Sequence, residues 1–368
     1  MHSQEDFSAL AAELERRFDA GVDAPWPEPD FDALALTAFA HQFGCIAPYR
    51  GFCEGRGRTP ATVSRWQDIP AVPATALKHI DFIADGGGAP EAVFRTTGTT
   101  RGREARGRHL VPRLALYRHA LLPPFRAHLL AGRDRMPFLS LIVAPADRSD
   151  SSLSFMVGAA ADVLATETHW LVDARGALDE GGLHSAMRRS AEAGEPALLL
   201  GTSLALLHMV ERLEAEASAP LPAGSRIMET GGFKGAEREI SRAELGARLE
   251  AATGVPSQMI VNEYGMTELL SQLYEPVLSE GASAAGTYVA PPWLRVRALD
   301  PVTLEELPDG TPGLLAFFDL ANAGSVCHVL TEDVGTVSAG RVRLSGRAMG
   351  AEPRGCSLAM HELMSAAS

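Results

Sequence analysis

Short apolar segments alternate with helical patterns through the middle of the chain, and this alternation constrains the fold more than any other feature. The predicted strands are Phe138–Ala144, Ala197–Leu200, Arg226–Thr230 and Gln258–Val261. The segments with helical spacing between them are Ser151–Leu164, Gly182–Ala193, Ser203–Ala217 and Glu237–Ala252. Strands that alternate with helices indicate an α/β fold with a mostly parallel sheet and flanking helices.

The outer parts of the chain add helices before this region and strands after it. Phe7–Ala20 and Asp30–Phe43 have apolar residues at helical spacing, whereas Gly313–Asp319 and Arg341–Leu344 are predicted strands. Pro112–Leu130 also has a helical pattern, in which the adjacent Pro123 and Pro124 predict a break or kink. We therefore predict three parts, which are a helical cap over residues 1–85, an α/β core over 86–346 and a short tail over 347–368.

Charge and cysteine content restrict the class of protein. The 368 residues include 33 Lys and Arg against 46 Asp and Glu, a net charge of −13. An acidic chain without a basic block argues against nucleic-acid binding. The acidic N-terminus predicts no signal peptide, and the most apolar run, Ala197–Val210, is too short to span a bilayer. Four cysteines without zinc or disulfide spacing predict a cytoplasmic protein with free thiols.

A loop crowded with threonine and glycine follows a short predicted strand. Its sequence is Arg95-Thr96-Thr97-Gly98-Thr99-Thr100-Arg101-Gly102. Such a loop has little side-chain bulk, so its backbone N–H groups can close on an anion, while hydroxyls and arginines add donors and charge. It lacks the Gly-Lys-Ser/Thr of a P-loop. The segment predicts a site for a small polyanion such as a nucleotide, with an ordinary polar turn as the alternative.

A second motif follows the strand that ends near Val261. A flat ring at Tyr264 beside Gly265 offers a stacking face for a planar base, and Thr267 offers a hydroxyl to a phosphate oxygen. Glu268 can hold Mg²⁺, which binds carboxylate and phosphate oxygens together. The alternative is a polar loop between a strand and a helix.

Two further turns carry glycine or acid next to predicted strands. Gly231 and Gly232 follow the strand that ends at Thr230, and Asp333 lies between the two late strands, where its carboxylate could accept both ribose hydroxyls. Arg347 follows the last strand. Ligands bind beyond the carboxyl ends of strands in parallel sheets, so the candidate ligand loops at strand ends are Thr96–Gly102, Thr230–Gly235 and Asn262–Glu268. Each residue could also belong to a simple turn or a charged surface.

The order of these motifs resembles that of the adenylate-forming superfamily of acyl-CoA ligases, luciferases and peptide-synthetase adenylation domains. In particular, the chain resembles the acyl-protein synthetase family of bacterial luminescence, and more distantly the phenylacetate–CoA ligases. The resemblance rests on Phe94–Gly102, Ser151–Leu153, Thr230–Gly235, Glu263–Glu268, Ser271–Tyr274, Asp319-Leu320, Thr331–Gly335 and Arg354–Leu358. It implies the large N-terminal domain of an adenylate-forming enzyme, with the C-terminal domain truncated to a short tail.

The resemblance also implies a reaction, in which ATP and a carboxylic acid give an acyl-adenylate and pyrophosphate with Mg²⁺ as cofactor. The β- and γ-phosphates would be held by Thr96, Thr97, Gly98, Thr99, Thr100 and Gly102. The nucleotide and acyl group would be approached by Gly231, Gly232, Tyr264 and Gly265. Thr267 would contact the α-phosphate, Glu268 would bind Mg²⁺, and Asp333 would bind the ribose. Arg347 would stand where the superfamily chain turns into its mobile C-terminal domain.

Two features depart from the superfamily pattern. The lysine that usually follows the Thr/Gly loop is missing, so Arg101, Arg103 or Arg106 would have to serve. The chain also stops soon after Arg347, without the domain that brings a catalytic lysine over the adenylate, as in the luminescence family. Lys234 is the candidate for a substitute charge, with an ordinary surface lysine as the alternative.

Cys356 is the candidate acyl acceptor in the segment that carries the most specific resemblance. Pro353 and Gly355 are expected to break regular structure, so that the tail could swing between the adenylate and a partner. Arg354 would favour the thiolate, which is the nucleophilic form. The alternative is a small buried residue on a docked tail.

Two histidines adjoin other candidate groups. His328 follows Cys327, but neighbours in a strand point to opposite faces, which weakens this pair as nucleophile and base. His109 follows the basic loop and could contact phosphate or simply enter a helix.

The expected function is ATP-dependent activation of a fatty or aromatic acid and transfer of the acyl group to a thiol, with Cys356 favoured. An acyl-accepting reductase or carrier protein is the expected partner. The alternatives are delivery to coenzyme A, a carrier-protein thiol or an amine, and an inactive nucleotide-binding subunit. Apolar acyl-pocket walls are expected from Ser152–Val157, Leu200–Leu206 and Gly231–Phe233.

Overall fold

The chain forms two compact units in the computed structural model, which describes residues 2–84, 88–96, 106–216, 218–232, 240–348 and 354–367. The first unit consists of Met1–Pro123, Met266–Gln272 and Val289–Ser368, and the second of Pro124–Gly265 and Leu273–Tyr288. The chain passes between the units several times, so this division does not follow the predicted boundaries at residues 85 and 346.

Helices and short strands account for most of the described residues. The helices are α1 (His2–Asp19), α2 (Glu28–Cys45), α3 (Ala47–Gly55), α4 (Leu114–Phe125), α5 (Ser152–Leu164), α6 (Glu180–Ala193), α7 (Ser203–Ala215), α8 (Arg242–Thr253), α9 (Val277–Glu280) and α10 (Arg354–Ala367). The strands are β1 (Val72–Pro73), β2 (Ala92–Arg95), β3 (Arg108–Val111), β4 (Met136–Ser140), β5 (Ala165–Trp170), β6 (Leu198–Thr202), β7 (Arg226–Thr230), β8 (Ile260–Tyr264), β9 (Leu273–Tyr274), β10 (Tyr288–Val289), β11 (Leu294–Leu299), β12 (Gly313–Asp319), β13 (His328–Ser338) and β14 (Arg341–Arg347). In this described part of the chain, no helix combines the length and apolar composition that crossing a membrane requires.

The second unit contains the predicted parallel sheet. Its strands lie in the order β9, β8, β7, β6, β4 and β5, with β9 antiparallel to β8 and the other pairs parallel. Leu139, Leu199 and Ile227 of the strands pack with Leu207 of α7 and Leu245 of α8 in one buried cluster. The alternation of strands and helices that the sequence predicts for this region is confirmed.

Side-chain caps mark the first residues of four helices of this unit. The side chains of Ser151, Asp179, Thr202 and Ser241 each accept a backbone N–H in the first turn of α5, α6, α7 and α8, respectively. The cap at Ser241 explains why α8 begins at Arg242 rather than at the predicted position 237, since the chain is not helical at residues 240 and 241.

The first unit differs from the predicted parallel arrangement. Strands β11, β12, β13 and β14 form consecutive antiparallel pairs, β1 pairs in parallel with β13, and β2 and β3 form a separate hairpin. Predicted strand Gly313–Asp319 is β12, whereas the predicted Arg341–Leu344 extends to Arg347 in β14. Polar residues around Asp333 predicted a turn, but they belong to β13, where strands on both sides satisfy the backbone hydrogen bonds.

The segment around Cys356 is helical, and the expected break at Gly355 is wrong. Gly355 lies in α10, and its backbone N–H donates to the carbonyl of Pro301 at 2.9 Å. Farther along α10, Glu362 accepts from Arg56 of α3 at 2.7 Å. Gly355 is also closely packed, because a Cβ added there would meet the side chain of Leu304 at 2.6 Å. The helix is therefore docked along its length.

Candidate functional site

The Thr/Gly loop is closed by the β2–β3 hairpin of the first unit. The N–H of Thr96 donates to the carbonyl of Gly107 at 3.0 Å, and the N–H of Gly107 donates to the Thr96 hydroxyl at 2.9 Å. Arg106 donates to the carbonyl of Thr96 at 2.7 Å. Arg106 thus braces the base of the loop through a backbone contact. The remaining predicted phosphate residues, Thr97, Gly98, Thr99, Thr100, Arg101, Gly102 and Arg103, lie outside the described residues.

In the second unit, the carboxyl ends of three parallel strands lie side by side. Thr202 of β6 is in register with Thr230 of β7, and Thr230 is in register with Glu263 of β8. Gly231 follows β7 with a φ of +73°, a left-handed conformation that strains a residue with a side chain. Gly231 and Gly232 are both exposed. The structure thus places this pair at a strand end, as predicted, while Lys234 and Phe233 lie outside the described residues.

Tyr264 ends β8 and is half-buried, next to the exposed Gly265. Its ring lies 6.2 Å from that of Tyr288, centroid to centroid, in an edge-on arrangement. An aromatic ring at the exposed end of a strand is a suitable stacking face, and the contact with Tyr288 restricts its orientation.

Buried polar side chains support these strand ends, and the sequence did not reveal them. Glu229 of β7 accepts from the amide of Asn262 of β8 at 3.1 Å and from Ser203 at 2.8 Å. The Asn262 oxygen in turn accepts from the Tyr288 hydroxyl at 2.6 Å. Arg242 donates to Glu229 at 3.3 Å and to both carboxylate oxygens of Glu275. The members of this network are far apart in the sequence, so only the fold brings them together.

Glu263 has a distinct environment at the end of β8. It is buried, and its carboxylate accepts from the Thr230 hydroxyl. Burial raises the pKa of the Glu263 carboxyl to about 7, although the Thr230 hydrogen bond opposes the shift. The group therefore titrates near neutral pH.

The segment that carries Thr267 and Glu268 is held through its backbone within the first unit. His109 contacts the carbonyl of Thr267 at 2.7 Å, and the Asn322 amide donates to the carbonyl of Glu268 at 2.8 Å. The buried Asp319 accepts from the N–H groups of Leu270 at 3.0 Å and Ser271 at 2.9 Å. These contacts engage the backbone of Thr267 and Glu268 and not their side chains.

Charged groups surround Glu268 in this unit. Burial raises the pKa of the half-buried Glu268 carboxyl, while Arg347 and Lys78 lower it and Asp333 raises it. Asp333 accepts from Arg347 at 2.9 Å. The structure thus brings together Glu268, Asp333 and Arg347, which the sequence named separately. It adds the exposed Lys78, which the sequence did not single out, at the end of the 3₁₀ turn Ala74–Lys78 that follows β1.

Asp333 lies at an irregularity of the sheet. Leu314 of β12 pairs with Val334 of β13, and Ala316 of β12 pairs with Leu330 of β13. A step of two residues along β12 thus corresponds to a step of four residues along β13. The extra residues of β13 form a bulge that changes the direction of the side chains within it, a device common beside active sites.

The donors around Glu268 fit a magnesium ion better than a metal held by protein alone. Within the described residues there is no cluster of three or more His, Cys, Asp or Glu side chains that could hold a metal. Mg²⁺ is commonly bound through one or two carboxylates together with substrate phosphates. A cation would also offset the burial that raises the pKa of Glu268.

Cys356 is buried, with 2% of its surface exposed, in a cluster with Ala71, Leu314 and Leu330. This environment corresponds to the alternative of a docked tail. Its role as acyl acceptor remains a prediction, and it requires that the thiol leave this cluster.

The other cysteines and histidines have structural partners. Cys53 is buried in α3, and Cys327 accepts from Gln42 at 3.1 Å, while His328 contacts the carbonyl of Ile69 at 2.7 Å. Cys327 and His328 thus have different partners, in agreement with the weak pairing expected. His109 lies on β3, so its assignment to a helix entry is wrong. None of the four cysteines, all within the described residues, forms a disulfide.

The expected acyl-pocket segments also belong to the second unit. Ser152–Val157 forms the first turns of α5, in which Met156 and Val157 are buried and Phe155 is half-buried. Leu204, at the start of α7, is exposed. The role of these residues in acyl binding stays a prediction.

Solved structures share this fold. An open conformation of 2-hydroxyisobutyryl-CoA ligase matches with a TM-score of 0.63 at 15% identity, over 86% of this chain and 74% of that one. The same enzyme in its thioesterification state gives 0.61 at 18% identity, over 87% and 69%. At such identities the likeness shows the fold, and it confirms the predicted fold class.

Sequence comparisons indicate the family. The long-chain-fatty-acid–luciferin-component ligases of Vibrio harveyi and Aliivibrio fischeri are 45% and 43% identical to this chain over 47 residues. These alignments span 13% of this chain and only 12% of each relative. The model of the family described as acyl-protein synthetase, LuxE, matches residues 26–365. Because that match covers most of its length, the chain belongs to the acyl-protein synthetase family, LuxE.

Proposed function

We propose that this protein uses ATP and Mg²⁺ to activate a carboxylic acid as an acyl-adenylate and then transfers the acyl group to a thiol. The observation that carries the proposal is the charged group of the first unit, in which Arg347 donates to Asp333 at 2.9 Å and both, with Lys78, act on the charge of Glu268. Such a group can accommodate a nucleotide phosphate, a cation and a ribose. Membership of the acyl-protein synthetase family supports the same chemistry.

The adenylation step requires charge compensation. A carboxylate oxygen of the acid attacks the α-phosphorus of ATP, the bond from that phosphorus to the oxygen bridging to the β-phosphate breaks, and pyrophosphate leaves with the electron pair. Glu268 would hold Mg²⁺, which supplies charge stabilisation to the phosphates. Lys78 and Arg347 would add positive charge, and Thr267 would donate to an α-phosphate oxygen.

The other roles follow the family resemblance. Asp333, oriented by Arg347, would accept hydrogen bonds from the ribose hydroxyls. The predicted roles are phosphate binding for 96–102, nucleotide and acyl contact for Gly231, Gly232, Tyr264 and Gly265, and charge compensation for Lys234. Each of these roles is part of the proposal.

The names of the two Vibrio and Aliivibrio relatives specify a long-chain fatty acid and a luciferin component. We therefore propose a fatty acid as the substrate to test first, with an acyl-accepting reductase or carrier protein as partner. The burial of Cys356 favours a second candidate, in which coenzyme A or the partner's thiol accepts the acyl group directly.

ATP–pyrophosphate exchange with a panel of fatty and aromatic acids tests the proposal. Glu268→Gln removes the negative charge at almost unchanged volume. We expect it to lower the exchange rate at least about 100-fold, because charge stabilisation by a metal is worth several kcal/mol. The exposed Glu305, in the same unit, provides the matched control Glu305→Gln, which should retain full exchange. Full exchange in Glu268→Gln would contradict the assignment of the metal ligand, and no exchange by wild type with any acid would contradict adenylation.

A further inference from the structure

His109 connects the phosphate-loop hairpin to the segment that carries Glu268. It lies on β3, in register with Phe94 of β2, two residues beyond the bonded pair Thr96 and Gly107 that closes the loop. Its ring is 2% exposed and contacts two groups, the carbonyl of Thr267 at 2.7 Å and the hydroxyl of Ser325 at 2.8 Å. The histidine therefore contacts a different part of the same unit at each ring nitrogen.

The partners determine the tautomer of the ring. A carbonyl oxygen can only accept, so Nδ1 must carry the hydrogen that is donated to Thr267. Burial lowers the pKa of His109 to about 4, so the ring is neutral near neutral pH and Nε2 accepts from the Ser325 hydroxyl. Ser325 is itself buried, which makes this pair a support rather than an exposed nucleophile and base.

The Thr267 carbonyl is one of several points at which the segment is clamped. Asn322 and Asp319 hold the backbone from Glu268 to Ser271 through the loop after β12 and the end of β12. His109 adds a contact from the strand that leaves the phosphate loop. It therefore relates the position of the β2–β3 hairpin to the position of Thr267 and Glu268.

This relation matters for magnesium. Mg²⁺ demands nearly ideal octahedral geometry, and in the proposed function it would bind phosphate oxygens and Glu268 together. A shift of the Thr267–Glu268 segment relative to the β2–β3 hairpin would therefore displace Glu268 and weaken metal binding, even if each part kept its own structure.

We propose that His109 is a positioning residue, which donates through Nδ1 to the Thr267 carbonyl and so holds the segment of Thr267 and Glu268 in place against the β2–β3 hairpin for binding of the magnesium–nucleotide complex. The proposal rests on the proposed function and assigns to it a residue that does not touch the substrate.

Four substitutions separate the roles of the two ring nitrogens. In asparagine the amide nitrogen is three bonds from Cα, as Nδ1 is in histidine, so His109→Asn can retain the donor to Thr267. In glutamine the amide nitrogen is four bonds away, as Nε2 is, so His109→Gln can reach only the Ser325 side. His109→Leu removes both polar groups at similar volume, and Ser325→Ala removes only the partner of Nε2.

The readout is the Mg²⁺ concentration that gives half-maximal ATP–pyrophosphate exchange, measured beside the thermal midpoint of each variant. We expect His109→Leu and His109→Gln to raise this concentration about tenfold, the value of one buried hydrogen bond. His109→Asn should recover most of the loss, and Ser325→Ala should stay near wild type. A general loss of stability would instead affect all variants in proportion to their thermal midpoints, which would overturn the proposal, as would an unchanged Mg²⁺ dependence in His109→Leu.

Calorimetric titration of the protein with ATP and Mg²⁺, without any acid, distinguishes a failure of the His109 proposal from a failure of the proposed function. If wild type binds the magnesium–ATP complex but shows no exchange, adenylation is wrong. If the variants then bind the magnesium–ATP complex in the same order as expected for their Mg²⁺ dependence, the positioning role of His109 is still supported. If all variants bind it equally, that role is rejected. If wild type binds no ATP, both proposals are wrong.

Discussion

At the scale of single residues, burial controls the acid–base properties of the site. Glu263 is buried against Thr230, and its pKa of about 7 lies above the ordinary value of 4.5 for a glutamate. A carboxyl whose pKa is higher in the folded than in the unfolded state contributes stability at low pH. That contribution is complete below about pH 4.5 and is lost as the pH rises towards 7.

This direction of the pH dependence leads to a prediction for the variant Glu263→Gln, whose side chain cannot ionise. The free energy of unfolding of wild type should decrease relative to that of the variant between pH 4.5 and pH 8, by on the order of 3 kcal/mol. Urea unfolding across this range measures the difference, in which other titrating groups cancel. A difference that stays constant across this range would contradict the prediction, because it would mean that folding does not raise the pKa of Glu263.

The sequence identified reactive residue types more easily than their environments. It named Glu268, Asp333 and Arg347 from separate motifs, and the structure places them in one charged group. It could not indicate that His109 supports Thr267, because Ser325 and Thr267 lie far from His109 in the chain. The sequence could not indicate that Cys356 is buried either, since the residues that surround it come from distant strands.

At the scale of elements, the 3₁₀ turn Ala74–Lys78 adds a cation that no motif predicted. It follows β1, which pairs with β13, the strand of Asp333. The chain contains only two lysines, Lys78 and Lys234, among its 33 basic residues. An ammonium group is a compact point charge on a flexible stem, which suits a phosphate better than the planar fork of arginine when one oxygen is the target.

Lys78→Met therefore provides the test of this element. We expect it to raise the ATP concentration for half-maximal exchange roughly tenfold or more, since a hydrogen bond to a charged group contributes about 1.5–3 kcal/mol. Lys78→Arg should retain part of the affinity because it retains the charge. Arg58→Met, at an exposed site of the same unit, is the control and should leave exchange unchanged. Wild-type ATP dependence in Lys78→Met would exclude a phosphate contact.

Elements were predictable where the local pattern agreed with the packing. Strand β6 begins with three leucines, and β7 combines Ile227 and Met228 with polar residues; both lie buried in the parallel sheet, and both were predicted. Strand β5, by contrast, lies at one edge of the sheet, is half-exposed and carries polar residues. Its sequence pattern therefore did not predict a strand. At the adjacent prolines, where a break or kink was expected, the chain stays helical to the end of α4 at Phe125 and then widens into the π-turn Arg126–Leu130.

At the scale of the whole molecule, local patterns indicated the fold class but not the division of the chain. The first unit collects three segments that are distant in sequence, and Met266–Gln272 joins it although β8 before it and β9 after it belong to the second unit. Asp319 explains this placement, because it binds the N–H groups of Leu270 and Ser271 and the hydroxyl of Ser271. Such long-range pairing is invisible to composition and periodicity.

The docking of α10 is the large-scale feature with the clearest consequence for function. Cys356 and Leu363 are buried on this helix, which also pairs Glu362 with Arg56 of α3. A thiol in that position cannot form a thioester with an acyl-adenylate unless α10 moves. Transfer to Cys356 would therefore be coupled to undocking, whereas transfer to an external thiol would not.

Incubation with labelled acid and ATP distinguishes these routes. We expect wild type to acquire a hydroxylamine-labile label and Cys356→Ser to lose it, while both retain pyrophosphate exchange because adenylation precedes transfer. Cys45→Ser, at a half-buried thiol of α2, is the matched control and should keep the label. Glu362→Gln removes the charge that pairs with Arg56, and it should increase the rate of labelling if undocking limits transfer. If Cys356→Ser retains the label, or if wild type acylates coenzyme A without ever becoming labelled, Cys356 is not the acceptor and α10 serves only to complete the core of the first unit.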